Sequence, residues 1–163
     1  MPTDRKDTEP MPAPDPDAIF QAVALGVTGN HQDGLNLIQP FVDAGPASTF
    51  ALLCALAETA SHEARDSHAP GTSFGIVVED PAGPADITVL PPAVQFGAQF
   101  ITAWANRDRP MARALFWALA EPSDLNGTDA LADGITAVYG MAVAVAERVV
   151  IEQRRKREEP GLR

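Results

Sequence analysis

The densest run of side chains able to do chemistry is Ser61-His62-Glu63-Ala64-Arg65-Asp66-Ser67-His68. On a helix His62 and Asp66 share a face at i, i+4, and His68 can fold back from the loop beyond. That would bring three groups of the kind that hold a divalent metal onto one site. The same residues also suit a solvated helix end, where His and Arg satisfy the last carbonyls. Under that reading there is no metal, no cofactor and no catalytic residue.

A His-Glu-x-x-His zinc motif would need a second histidine where Asp66 stands, and no third ligand is visible downstream. Ser48, Thr49 and Thr102 have no neighbouring base to activate a hydroxyl. Cys54 lies among Leu52, Leu53, Ala55 and Leu56, so it reads as a small buried hydrophobe and not as a nucleophile. Gly71, Gly75 and Gly83 fit turns and a strand, not a phosphate-binding loop. Arg107, Arg109 and Arg113 follow a turn, where the first two are placed to meet an acidic partner and all three suit a solvated face beside Asp108. Phe96, Phe100, Trp104 and Phe116 form the candidate apolar pocket, although their helical spacing serves a core equally well.

Helices must position these groups. From Leu131 onward apolar residues recur in alternating steps of four and three: Leu131, Ile135, Val138, Ala142, Val145 and Val149. No Pro interrupts residues 129 to 158, so this run predicts one long helix ending in Arg154-Arg155-Lys156-Arg157. The stripe is the candidate self-association surface or, alternatively, core covered by the chain's own helices, and either way Val138 at its middle should be buried. Upstream, Asp15-Pro16 marks a helix start, Asn30 opens a second helix that Pro40 should kink or shorten, and Gly45-Pro46 starts a third running to about Arg65. Phe74, Ile76 and Val78 alternate with other residues, and Ile87-Thr88-Val89-Leu90 makes a second short run. Between them Asp80-Pro81-Ala82-Gly83 suits a type I turn, which predicts a β-hairpin. Pro91-Pro92 opens a fourth helix, Asp108 caps a fifth, and Thr128 is a plausible cap for the sixth.

The expected fold is therefore mostly α: a six-helix bundle-like domain in two three-helix units joined by a β-hairpin at about 73–90. Residues 1–15 read as a disordered tail, 16–158 as one helical domain and 159–163 as a short C-terminal tail. The halves resemble one another weakly. A shift of 76 residues superposes Phe20 on Phe96, Ala22 on Ala98 and Asn30 on Asn106, which fits either an internal duplication or a coincidence of helical hairpins.

Charge bounds the partners. The chain of 163 residues carries a net charge of −10. Residues 18–147 hold fourteen acids and only four bases, whereas 148–163 hold six bases and three acids. An acidic body repels phosphate, so no nucleic acid is expected, and a basic protein is a possible partner. The N-terminal residues show no apolar signal-peptide core. The longest uncharged apolar run, Gly134 to Ala146, has 13 residues, short of the roughly 20 that span a bilayer, so no membrane and a cytoplasmic location are expected. Arg greatly outnumbers Lys, and the wealth of Ala, Pro, Gly and Asp resembles coding from a GC-rich bacterial genome. The functional expectation is a non-catalytic, self-associating interaction protein, a homodimer. The alternative is a small-molecule binder with an apolar pocket between helices.

Overall fold

A computed structural model describes residues 14–121 and 129–158 of the chain. Six helices follow in order: α1 (Pro16–Val27), α2 (His31–Asp43), α3 (Pro46–Asp66), α4 (Pro92–Ala105), α5 (Arg109–Ala120) and α6 (Ala130–Glu158). The fold is mostly α, with three helices on either side of a small hairpin and a long C-terminal helix. Local chemistry sets the boundaries. Asp15 caps α1 by accepting the amide of Asp17 at 3.0 Å, and Asp108 caps α5 through the amide of Met111 at 3.0 Å. Pro40 does not shorten α2, which runs on through it to Asp43. Of the expected tail at 1–15, residues 1–13 lie outside the described residues, as do the tail at 159–163 and the Thr128 cap with its preceding loop, while Asp15 belongs to the start of α1.

The hairpin forms, but not from the strands the alternation suggests. β1 (Val78–Asp80) pairs antiparallel with β2 (Gly83–Ala85), with Asp80 opposite Gly83. The turn sequence explains the displacement: Asp80 accepts the amide of Ala82 at 2.7 Å, and Gly83 takes a φ of +125° open only to glycine. Pairing must start beside that tight turn, and Pro84, with no N–H, limits how far it runs. Ile87–Val89 is a 3-10 turn, not a strand, because Asp86 caps it by accepting the amide of Thr88 at 2.8 Å.

α6 organises the core. Its 29 residues reach about 43 Å, and its buried residues all fall between Gly134 and Val143, packed against α1, α3 and α4. By length and apolarity alone α6 could cross a membrane, with an 18-residue window of mean hydropathy 1.6. The face buried in the bundle is the one a core helix needs.

Tyr139 fixes how closely α6 meets the first hairpin of helices. The side chain is buried, and its hydroxyl donates to the Ala22 carbonyl of α1 at 2.7 Å. The ring fits because Gly26 of α1 and Gly34 of α2 leave room for it. A Cβ at Gly26 would lie 2.8 Å from the hydroxyl, and one at Gly34 would lie 2.6 Å from the Ala22 carbonyl oxygen.

The two halves do correspond, in a register of 78 residues and not 76. The 76-residue shift places exposed Phe20 on buried Phe96. A shift of 78 aligns the ends of α1 and α4 (Val27, Ala105) and the starts of α2 and α5 (His31, Arg109). It also aligns buried positions throughout: Ala22 with Phe100, Gly34 with Ala112, Ile38 with Phe116, Ala57 with Ile135, Ala60 with Val138, and Ser61 with Tyr139. The turns match as well. Gly29 and Arg107 both take positive φ and close their helices with the same pair of hydrogen bonds, Gly29 to Gly26 and Asn30 to Leu25, and Arg107 to Trp104 and Asp108 to Ala103.

Two glycines on different faces give opposite expectations. Gly34→Ala should gain helix propensity of about 1 kcal/mol yet lose more to the collision with Tyr139 and the Ala22 carbonyl, lowering stability by about 2 kcal/mol or more. Gly140 in α6 has open space around it, so Gly140→Ala should raise stability by about 0.5–1 kcal/mol. Denaturant melts of both variants check the pair. A neutral Gly34→Ala would mean that α1, α2 and α6 do not meet this tightly.

Candidate functional site

The aromatic group assigned to a pocket packs as core. Phe96, Phe100 and Phe116 are buried, with Phe96 and Phe100 ring centroids 5.6 Å apart. Phe50 of α3 fills the space between α4 and α5, 6.2 Å from Phe100 and 5.3 Å from Phe116. Trp104 sits at the edge of this cluster, and its indole N–H donates to Glu58 Oε2 at 2.8 Å.

The proposed self-association stripe divides. Ile135, Val138 and Ala142 are buried within the chain, while Leu131, Val145 and Val149 are half-buried. A seam using Val138 would have to unpack the molecule, so the middle of the stripe serves the chain's own core. Its two ends remain partly open to another molecule.

His62, Asp66 and His68 are not brought into one metal-sized group, and no group of three His, Cys, Asp or Glu of that kind occurs among the described residues. His68 Nδ1 is 2.6 Å from the Ala64 carbonyl, and its ring meets Phe74 edge-on at 5.6 Å. It closes the end of α3.

A polar node centres on Glu58, a residue that belongs to no motif in the sequence. Its carboxylate binds Arg65 on one oxygen and Trp104 on the other, tying α3 to α4. Burial alone would raise its pKa, but the Trp104 and Arg65 hydrogen bonds and the charges of Arg65 and His62 outweigh it and hold Glu58 below the usual carboxylate range. Arg109 lies over the Trp104 ring, its guanidinium carbon 5.5 Å from the centroid, and Arg113 lies 5.8 Å over Phe50. A single sequence could not pair Glu58 with Trp104, 46 residues away; only the packing of α3 on α4 does so.

Two concavities flank this node. A polar cleft of about 300 Å³ is lined by Arg65, His68, Asn106, Arg107 and the loop from Ala69 to Phe74. Asn106 holds that loop in place by accepting the Phe74 amide at 2.7 Å and donating to its carbonyl at 2.9 Å. An apolar groove of about 320 Å³ runs between α1, α3 and α6, lined by Pro16, Phe20, Val23, Ala55, Glu58 and Ala146 among others.

Comparison with family models, with curated proteins and with solved structures gives no match. The chain's own geometry therefore carries the functional reading.

Two chemical expectations follow from these environments. Burial raises the Cys54 thiol to about 11, against the opposing charges of Arg109 and Arg113. Its thiolate is scarce at neutral pH, so a thiol reagent at pH 7.5 should label Cys54 far more slowly than it labels the denatured chain; equal rates would contradict this. Glu58 has its pKa depressed on folding, so its stabilisation is complete above the ordinary carboxylate range and is lost as pH falls through the folded-state value. Glu58→Gln should therefore be less stable than the parent at pH 7, with the gap closing as the solution is acidified. A gap independent of pH would assign Glu58 no ionic role.

Proposed function

We propose that the protein is a non-catalytic helical interaction module of the cytoplasm that pairs with a second copy of itself. The observation that carries this reading is the exposure of Phe20, 75%, on the rim of the apolar groove beside the free end of α6. An aromatic side chain this exposed, at the rim of an apolar groove, is available to an interface.

The surroundings support a like partner. Ala146 lines the groove, and Val150 follows it one turn along α6. Beyond that point α6 leaves the bundle, with every residue from Ile151 to Glu158 exposed. This free end carries Arg154, Arg155, Lys156 and Arg157, whereas the groove is lined by Glu58, and Asp15 and Asp17 flank its Pro16 in sequence. A second copy supplies both the apolar surface and the opposite charge, and a two-fold pairing uses each patch twice. The acidic remainder of the surface also suits a basic protein as a further partner.

Light scattering at micromolar concentration should give twice the 17.2 kDa chain mass. Phe20→Asp combined with Ile151→Asp should give the single-chain mass with unchanged helical circular dichroism, because both side chains are exposed. A single-chain mass for the parent protein rejects the dimer.

A further inference from the structure

Residues 18–147 contain four bases, Arg65, Arg107, Arg109 and Arg113, and the fold gathers all four around one side of α3, α4 and α5. Arg65 and Arg107 line the same cleft, Arg65 meets the Glu58 that binds Trp104, and Arg109 covers the Trp104 ring. In a chain with nearly twice as many acids as bases, carboxylate partners should be plentiful. Yet among the described residues the only ion pair is Arg65–Glu58. Asp108, the acid nearest in sequence, is turned to the Met111 amide at the start of α5.

We propose that Arg109 and Arg113 of α5, with Arg107 at its start, form a docking face for an acidic, extended segment of a partner protein. The two guanidiniums rest on aromatic rings, Trp104 and Phe50, which orders the planar groups and leaves their N–H edges free for carboxylates. Ordering them beforehand lowers the entropy lost on binding. Their spacing also selects the ligand. Residues at i, i+4 on a helix are about 6 Å apart, close to the roughly 7 Å between alternate side chains of an extended chain, so acids at every second position match the pair. Trp117 continues the same face four residues after Arg113 and is 42% exposed. Arg and Trp together are the residue types that anchor interfaces. The arginines fix the partner's sign, and repulsion from the acidic rest of the body confines an acidic chain to this face.

The basic end of α6 is the competing site, so the experiment separates the two. A fluorescein-labelled peptide of four Glu-Ser repeats is titrated with the full chain in low salt and followed by anisotropy. Binding should weaken about tenfold or more when salt is raised from 50 to 300 mM. Arg109→Gln with Arg113→Gln should weaken it about tenfold with helical circular dichroism and cooperative melting retained, while Arg154→Gln with Arg155→Gln and Arg157→Gln should leave it within about twofold. No binding at low salt, binding insensitive to the α5 variant, or binding lost only with the α6 variant overturns the proposal. The α5 variant should also leave the light-scattering mass of the chain unchanged. If that variant alone converts a dimer to single chains, the face belongs to a second copy and the partner-protein proposal fails.

Discussion

The molecule depends on one close approach: the Tyr139 hydroxyl of α6 reaching the Ala22 carbonyl of α1 over the bare backbone of Gly26 and Gly34. A buried phenol needs a partner for its hydroxyl, and that carbonyl supplies it. Because the partner is a main-chain atom, the contact fixes helix axes and not merely side chains. It sets the depth at which α6 lies against α1 and α2. From there the remaining inward residues, Ile135, Val138, Ala142 and Val143, fall onto the helices around them.

The 78-residue correspondence shows how the same plan is filled differently in the two halves of the chain. In one half α1 and α2 offer Gly26, Ala22 and Gly34, and the opposing helix inserts the large Tyr139. At the equivalent places of the other half α4 and α5 offer Trp104, Phe100 and Ala112, and the opposing helix presents Ser61. Large and small residues have exchanged sides between the two halves. The exchange has a consequence for chemistry. On the Trp104 side the indole N–H reaches Glu58, which recruits Arg65 and leaves Arg109 stacked above. The polar node is thus a by-product of where the bulk was placed.

Helices were legible in the sequence because their signals are local. Asp15-Pro16, Gly45-Pro46, Pro91-Pro92 and Asp108 each carry a capping or first-turn preference that needs no tertiary partner. The hairpin was half legible: its turn residues stood out, but the alternation of Phe74, Ile76 and Val78 pointed to longer strands than form. A two-stranded ribbon gains little from propensity alone, and Asp86 caps a 3-10 turn where the second strand was expected. The repeat register was misread by two residues because identical residues are a poor guide in an Ala-rich chain, whereas matching burial is visible only once the helices are packed. Of the site, the arginines were apparent and Glu58 was not, since nothing near it in sequence announces its partners on α4.

Two surfaces are left over by the core: an exposed aromatic with a free helix end, and a row of stacked arginines. All of it presumes that the middle of α6 is the chain's own core, and native-state hydrogen exchange tests that most directly. Amides from Gly134 to Val143 should be the slowest in the chain, opening only with a free energy equal to that of global unfolding. If they exchange as quickly as those on the outer face of α5, α6 does not organise this fold and the surfaces assigned here lose their footing.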